Sequence, residues 1–279
     1  MSDERKVVLV LVGIFLIVVM MHWYKPKGEH HHFAKQYRLE TRNIVAESPS
    51  DITPLDSSLV EPILYSHVHF LDSLTADEAK QKFIDVMIPA ILIVKWQLQK
   101  ELERLELIIQ DGILDQGDSM LVANWYDQYK TDDLQTLKRR LITHPNSIVL
   151  AQAAVESGWG KSRFFKEGNN VFGVWSYDPD EPRIPASISR EEYRAYLRKY
   201  SHIAESVMDY FKTIARAPAY SGFRRKRSET SDIRELLPYL DKYSERGEEY
   251  VAQLMSMIRY NDFQKYDSYQ LDPAYVILN

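Results

Sequence analysis

The spacing of apolar positions divides the chain into stretches with different periods. Val7 to Tyr24 is an uncharged run of 18 residues, close to the ~20 that cross a bilayer's hydrocarbon core, and Trp23 and Tyr24 suit an interface at its far end. From Pro26 to about residue 70 no helical period is sustained, and Pro26, Pro49, Pro54 and Pro62 punctuate the segment, which predicts a linker with little structure of its own. Only Tyr65, His67, His69 and Phe70 alternate in a way that suits a short extended piece. Thr75 to Glu78 then reads T-x-x-E, a capping box, ahead of a long helix from Ala79 to Gln110. Phe83, Val86, Met87, Ala90, Ile91, Val94, Leu98, Leu102 and Leu105 form its inward stripe, and Pro89 should kink or split it. Packing on the C-terminal domain is preferred over a coiled-coil partner for this helix. Trp125, Tyr126, Tyr129, Leu134 and Leu137 predict one or two shorter helices that end at Lys138, Arg139 and Arg140.

A second helical pattern follows Pro145 and Asn146, residue types favoured at helix starts. Ile148, Gln152, Val155 and Trp159 share one face, and Gly158 and Gly160 end the helix just after Glu156. Asp178 to Pro185 holds three prolines and reads as an irregular lobe over a cleft. Ser189 to Glu192 forms another S-x-x-E box. Helical spacing returns at Val207, Tyr210, Phe211 and Ile214, and again at Tyr250, Val251, Leu254 and Ile258. Pro218, Tyr220 and Gly222 mark a turn between them, which leads into the basic run Arg224 to Arg227.

Composition changes this picture little. The 279 residues carry a net charge of -5 and no cysteine. No broad basic field or known motif points to nucleic acid, and disulfides and thiolate metal sites are excluded. His30, His31 and His32 have no second ligand cluster in sequence and read as solvated linker. Arg5 and Lys6 before the apolar run are balanced by Lys25 and Lys27 after it, so charge barely orients it. No small-x-small cleavage site follows, which favours an uncleaved anchor over a signal peptide.

The chemistry concentrates in Ala151 to Gly173, AQAAVESGWGKSRFFKEGNNVFG. Glu156 sits at a helix C-terminus, where the macrodipole disfavours a carboxylate, and Trp159 and Phe172 are placed to shield it; both effects raise its pKa. An acid still protonated near neutrality is what protonates the leaving oxygen of a sugar linkage, so Glu156 is predicted as a general acid. Asn169 and Asn170 either hold a turn or contact an N-acetyl group. Phe172, Trp175 and Tyr177, with Tyr220 from the later turn, are apolar platforms on which sugar rings can lie. Glu205 falls in a helix's first turn, where the dipole favours an ionised carboxylate; this makes it either a partner to the acid or an ordinary helix-start residue.

This stretch resembles the bacterial endo-β-N-acetylglucosaminidase family of flagellar rod hydrolases and autolysins. AESVMDYFKTIARAPAYSGFR (from Ala204) and KYSERGEEYVAQLMSMIRYN (from Lys242) resemble its Bax-type branch. The resemblance covers roughly residues 140 to 265. It implies a mainly α, lysozyme-like α+β domain with a small irregular or β lobe, an extended piece from Tyr196 to Tyr200, and hydrolysis of the β-1,4 bond after N-acetylglucosamine in peptidoglycan without a cofactor or metal. It also implies that Tyr243 faces the general acid across the cleft. A Thr-x-Glu ribbon that many relatives carry in the lobe has no counterpart here, and Asp178, Asp180 and Glu181 do not match it. A second catalytic carboxylate and participation by the substrate's own acetamido group therefore both stay open.

The expected organisation is a cytoplasmic tip (1–6), a transmembrane anchor (7–24), a linker (25–70), a helical segment (71–140), a catalytic domain (141–268) and a tail (269–279). That describes a single-pass inner-membrane protein with its domain in the periplasm, acting on peptidoglycan glycan strands. The alternatives are a muramidase or lytic transglycosylase, and a non-catalytic wall-binding protein.

Overall fold

The long helix predicted from the apolar spacing lies at the centre of the molecule. In the computed structural model, which describes residues 37–112, 115–186 and 195–278, helix α1 spans Ala76–Asp111. Its capping box forms as expected: Thr75 N donates to Glu78 Oε2 at 3.2 Å, and Glu78 N donates to Thr75 Oγ1 at 3.4 Å. The helix continues through Pro89 and ends at Gly112, which holds a left-handed φ of 63°. Every residue from Phe83 to Val94 is buried, so, Asp85 apart, this half is apolar on all sides where a single stripe was expected.

The helices that surround α1 account for this. They are α2 (Gln116–Tyr129), α3 (Leu134–Leu141), α4 (Asn146–Ser157), the short α5 (Arg163–Gly168) and α6 (Ile203–Arg216). Helices α3, α4 and α6 all pack on α1. Beyond them come α7 (Ser221–Arg227), α8 (Ile233–Leu236), a 3-10 stretch (Leu237–Tyr243), α9 (Glu248–Tyr260) and a second 3-10 stretch (Phe263–Ser268).

Leu39–Ile277 forms one compact unit; Met1–Arg38 with Leu278–Asn279 forms a second, of which only Tyr37, Arg38 and Leu278 are described. The expected linker therefore does not extend to residue 70. Strand β1 (Arg42–Val45) pairs in parallel with β3 (Ile63–Ser66). Strand β2 (Leu59–Val60) pairs in parallel with β7 (Gln270–Leu271), inside the expected tail. Ile52, Ile63, Tyr65 and Val68 are buried. The prolines interrupt any helical period, yet the apolar residues between them are buried, and one of the two strand pairs joins segments more than 200 positions apart, which local spacing cannot reveal.

The lobe after α5 is a three-stranded antiparallel sheet in which β6 (Tyr196–Arg198) lies between β4 (Trp175–Ser176) and β5 (Arg183–Pro185). The S-x-x-E box at Ser189 lies outside the described residues. So do the histidine run at 30–32 and the apolar run at 7–24.

Among the described residues, no helix is long and apolar enough to cross a membrane. In α1 the uncharged apolar run between Asp85 and Lys95 is only nine residues long, under half of the ~20 required. Among the described residues the expected transmembrane anchor and single-pass inner-membrane location find no support, and the fold class is corrected to a mainly helical α+β unit with a small sheet lobe.

Two members of the basic run Arg224 to Arg227 turn inward. Arg224 Nη1 donates to the carbonyls of Ile214 (2.9 Å) and Ala217 (2.8 Å), and Arg227 Nη2 donates to that of Arg140 at 3.1 Å. Arg140 in turn donates to the carbonyls of Tyr129 and Lys130. The carbonyl-rich, partially negative ends of α6, α3 and α2 are thus each closed by a guanidinium.

Candidate active site

Helix α4 is held at both ends. At its start, the Lys95 ammonium donates to Asn146 Oδ1 at 2.7 Å and to the His144 carbonyl at 3.1 Å. The Ser147 amide and hydroxyl both donate to the Asp267 carboxylate, each at 2.8 Å. At its end, Gly158 takes a left-handed φ of 58° and the Trp159 amide returns to the Ala154 carbonyl at 2.9 Å. The Ser157 hydroxyl, bonded back to the Ala153 carbonyl, accepts from the Gly160 amide. Glu156 is therefore the penultimate residue of a helix that neither slides nor frays.

Its carboxylate is half-buried, and the Tyr250 hydroxyl from α9 donates to Glu156 Oε1 at 2.7 Å. Burial pushes the Glu156 pKa up, while the Tyr250 hydrogen bond and the Arg246 guanidinium oppose it; the balance stays above the usual carboxylate value. The Tyr250 bond also fixes the geometry of the acid.

The residues that screen Glu156 are tyrosines. Tyr243 lies parallel to Tyr250, with ring centroids 5.7 Å apart and an interplanar angle of 6°. Tyr220 sits 6.0 Å and Tyr210 6.3 Å from the Tyr243 ring. Burial raises the pKa of Tyr210, Tyr220, Tyr243 and Tyr250, and the Glu156 charge raises each further. All four stay neutral hydroxyls. Trp159, expected as a shield, instead packs edge-on against Phe83 (5.7 Å) and Phe263 (5.9 Å). Phe172, the other expected shield, is buried and stacks on Tyr210 at 4.4 Å.

The remaining predicted residues separate into distinct places. Tyr243 and Tyr220 join Glu156. Asn169 is buried: its amide donates to the carbonyls of Tyr200 (2.9 Å) and Ser201 (3.2 Å), and its Oδ1 accepts from the His67 amide at 3.1 Å. Asn170, also buried, donates to the carbonyls of Val174 and Arg198 and accepts from the Val174 amide. This geometry matches the turn-holding alternative, since the amide hydrogens that would reach a sugar are already engaged. Trp175 and Tyr177 stand exposed on the sheet lobe, at 48% and 87%. Glu205 accepts from the Ser201 amide (2.8 Å) and hydroxyl (2.6 Å), closing the start of α6 and acting as a helix-start residue. Glu181 is paired with Arg198. Among the described residues no carboxylate shares a hydrogen bond with Glu156.

Two partners of the acid were not anticipated. Tyr250 was assigned to a packing face, and Gln152, whose Nε2 donates to the Tyr250 hydroxyl at 3.2 Å, was counted within an apolar stripe. The signal lay in Gln152 itself, a polar residue on a buried face one helical turn before Glu156.

Residues 131–269 match the sequence profile of a family described as glucosaminidase, mannosyl-glycoprotein endo-beta-N-acetylglucosaminidase. This stretch belongs to the glucosaminidase family. The chain is also similar to Protein bax of Escherichia coli strain K12, at 29% identity over 149 residues, 51% of this chain and 52% of that protein. Against Peptidoglycan hydrolase FlgJ of Salmonella typhimurium the identity is 34% over 89 residues, 28% of each chain. The chain thus spans about half or less of the length of these curated relatives. Among solved structures, it resembles the catalytic domain of the autolysin Auto from Listeria monocytogenes, with 22% identity, a TM-score of 0.38, and coverage of 56% of this chain and 90% of that one. It also resembles the glycoside hydrolase domain of Salmonella typhimurium FlgJ, with 24% identity, a TM-score of 0.37, and coverage of 55% and 91%.

Proposed function

We propose that this protein is a peptidoglycan hydrolase that cleaves the β-1,4 bond following N-acetylglucosamine, with Glu156 as the general acid. The observation that carries this reading is a half-buried carboxyl group whose pKa lies above the ordinary value, fixed through Oε1 by Tyr250 and walled by neutral tyrosines. Such a group holds its proton to higher pH than an ordinary carboxyl and, with Oε1 engaged by Tyr250, presents it from Oε2 to a glycosidic oxygen as the bond breaks. Tyr243 and Tyr220 supply the flat aromatic wall for a sugar ring, and Tyr243 orients rather than transfers protons, because burial and the neighbouring carboxylate hold its hydroxyl neutral. The exposed Trp175 and Tyr177 extend that wall along the lobe for a longer glycan strand. Membership of the glucosaminidase family supports this chemistry, and the peptidoglycan hydrolase FlgJ among its relatives supports the substrate.

Digestion of purified sacculi by the wild-type chain, analysed by mass spectrometry, tests the proposal. Fragments ending in reducing N-acetylglucosamine support it. Fragments ending in anhydro-muramic acid assign a lytic transglycosylase, and retention on sacculi with no soluble fragment assigns a binder.

A further inference from the structure

Behind Tyr250 a line of buried polar groups runs away from Glu156 to a cation. Gln152 Nε2 donates to the Tyr250 hydroxyl at 3.2 Å, and Tyr210 donates to Gln152 Oε1 at 2.6 Å. His144 Nε2 lies 2.8 Å from the Tyr210 oxygen, and His144 Nδ1 lies 3.4 Å from Arg227 Nη1. Gln152, Tyr210, His144 and Arg227 are all buried.

These groups admit two hydrogen-bond directions. In one, Arg227 donates to His144 Nδ1, the His144 Nε2 proton goes to Tyr210, and each later donor points toward Glu156. In the other, every bond reverses: Glu156 gives its own proton to Tyr250, the Gln152 amide flips, and Tyr210 donates to His144 Nε2. The His144 proton would then sit on Nδ1, facing the guanidinium donor. A guanidinium has no acceptor, so that arrangement places two donors head to head in a buried site. The cation at the far end therefore selects the first direction. His144 is kept neutral, its pKa lowered first by burial and then by the Arg227 and Lys95 charges, so one ring nitrogen stays free to accept.

From this we infer that Arg227, His144, Tyr210, Gln152 and Tyr250 form a one-way hydrogen-bond relay that positions the acid, keeping the Glu156 proton on Oε2, the oxygen that Tyr250 does not hold. The inference rests on the reading of Glu156 as the general acid. Tyr250, Gln152, Tyr210, His144 and Arg227 are positioning residues. Run backwards, the relay would draw the acidic proton inward to Tyr250, where no substrate reaches it. The groups that bear directly on the titration of Glu156 are Tyr250 and Arg246, with Tyr210, Tyr220 and Tyr243 around them.

Two measurements on the folded full chain without substrate test the relay. Imidazole 15N NMR, with the His144 signal assigned by its loss in His144→Gln, is expected to show a neutral ring protonated on Nε2. Titration of Glu156, followed by carboxyl 13C NMR, is expected to move upward in Tyr210→Phe by up to about one pH unit, because without the Tyr210 donor the Gln152 amide can flip and take the Tyr250 proton, which removes one hydrogen bond from the carboxylate. Tyr129→Phe, which removes a buried hydroxyl bonded to Glu101 outside the relay, leaves the titration in place. Arg227→Met should shift His144 toward the Nδ1 proton. If that variant fails to fold, Tyr210→Phe, which keeps its ring stacked on Phe172, carries the test. With a glycan substrate, Tyr210→Phe should lower kcat about tenfold at unchanged KM and move the alkaline limb of the pH profile upward. A wild-type His144 protonated on Nδ1, or a Glu156 titration identical in Tyr210→Phe and wild type, overturns the relay even if sacculi are digested. The expected tautomer and shift in a chain that releases no fragments uphold the relay and remove the hydrolase reading instead.

Discussion

Replacing Glu156 with Gln separates what the carboxyl group does from the space it fills. Glutamine is nearly isosteric and keeps a carbonyl oxygen for the Tyr250 donor, so the 2.7 Å contact and the stacked Tyr243 ring survive. What it lacks is a proton to give. General acids typically contribute about 10²- to 10⁴-fold to rate, and a loss of that size is expected. The same change should stabilise the fold at neutral pH. The folded-state pKa of Glu156 is raised by burial, so the native state holds this proton more tightly than the unfolded chain, and stability falls as pH rises from the ordinary carboxylate range through the Glu156 value. Glu156→Gln escapes that loss. At pH 7 it should be the more stable protein, by on the order of 1 kcal/mol, a common exchange of stability for activity at a catalytic site. Below about pH 4 both side chains are neutral and the gap should close. Fragment release from sacculi and urea unfolding at both pH values read the two effects. Retained turnover would refute the acid assignment. A stability gap that widens on acidification would refute the electrostatic account of the site.

Other positions make separate predictions. Asn170→Ala removes three hydrogen bonds to backbone at a buried loop and should cost about 2 to 4 kcal/mol in denaturant unfolding; a loss under half a kcal/mol would show that the loop holds itself. Gly160→Ala forces a left-handed φ of 74° on alanine and sets its Cβ 2.7 Å from Leu71 Cδ1 and 3.0 Å from the Phe83 and Phe165 rings. It should destabilise by about 2 kcal/mol, and an unchanged melting temperature would contradict this. Burial pushes the Lys95 ammonium down to about 8, against the pull of Asp267. An unfolded lysine titrates near ~10.4, so between these values the unfolded chain binds more protons and stability rises with pH. Lys95→Met should lose that rise, and the same pH slope in both proteins, measured by denaturant titration across the interval, would refute it.

The parts legible in the sequence are those set by near neighbours along the chain. The Thr75 to Glu78 box, the long helix after it and the glycines that stop α4 behind Glu156 are local: caps and backbone freedom act over about one turn, so spacing alone reveals them. Three motifs in order likewise pointed to the glucosaminidase family. Tertiary structure decided the rest. Residues 39–70 look like a linker because their strands pair with segments next to them only in space, Leu59 with Gln270 in one case. Asn169 and Asn170 carry a site-like pattern, yet backbone carbonyls of Arg198, Tyr200 and Ser201, distant along the chain, take their hydrogens. The partner of Glu156 proved to be Tyr250, 94 positions on, because α9 packs against α4 and brings that hydroxyl to the helix end. Sequence placed a carboxylic acid where a helix ends. Burial among tyrosines, which only chain-distant packing can create, raised its pKa and fixed which of its oxygens Tyr250 engages.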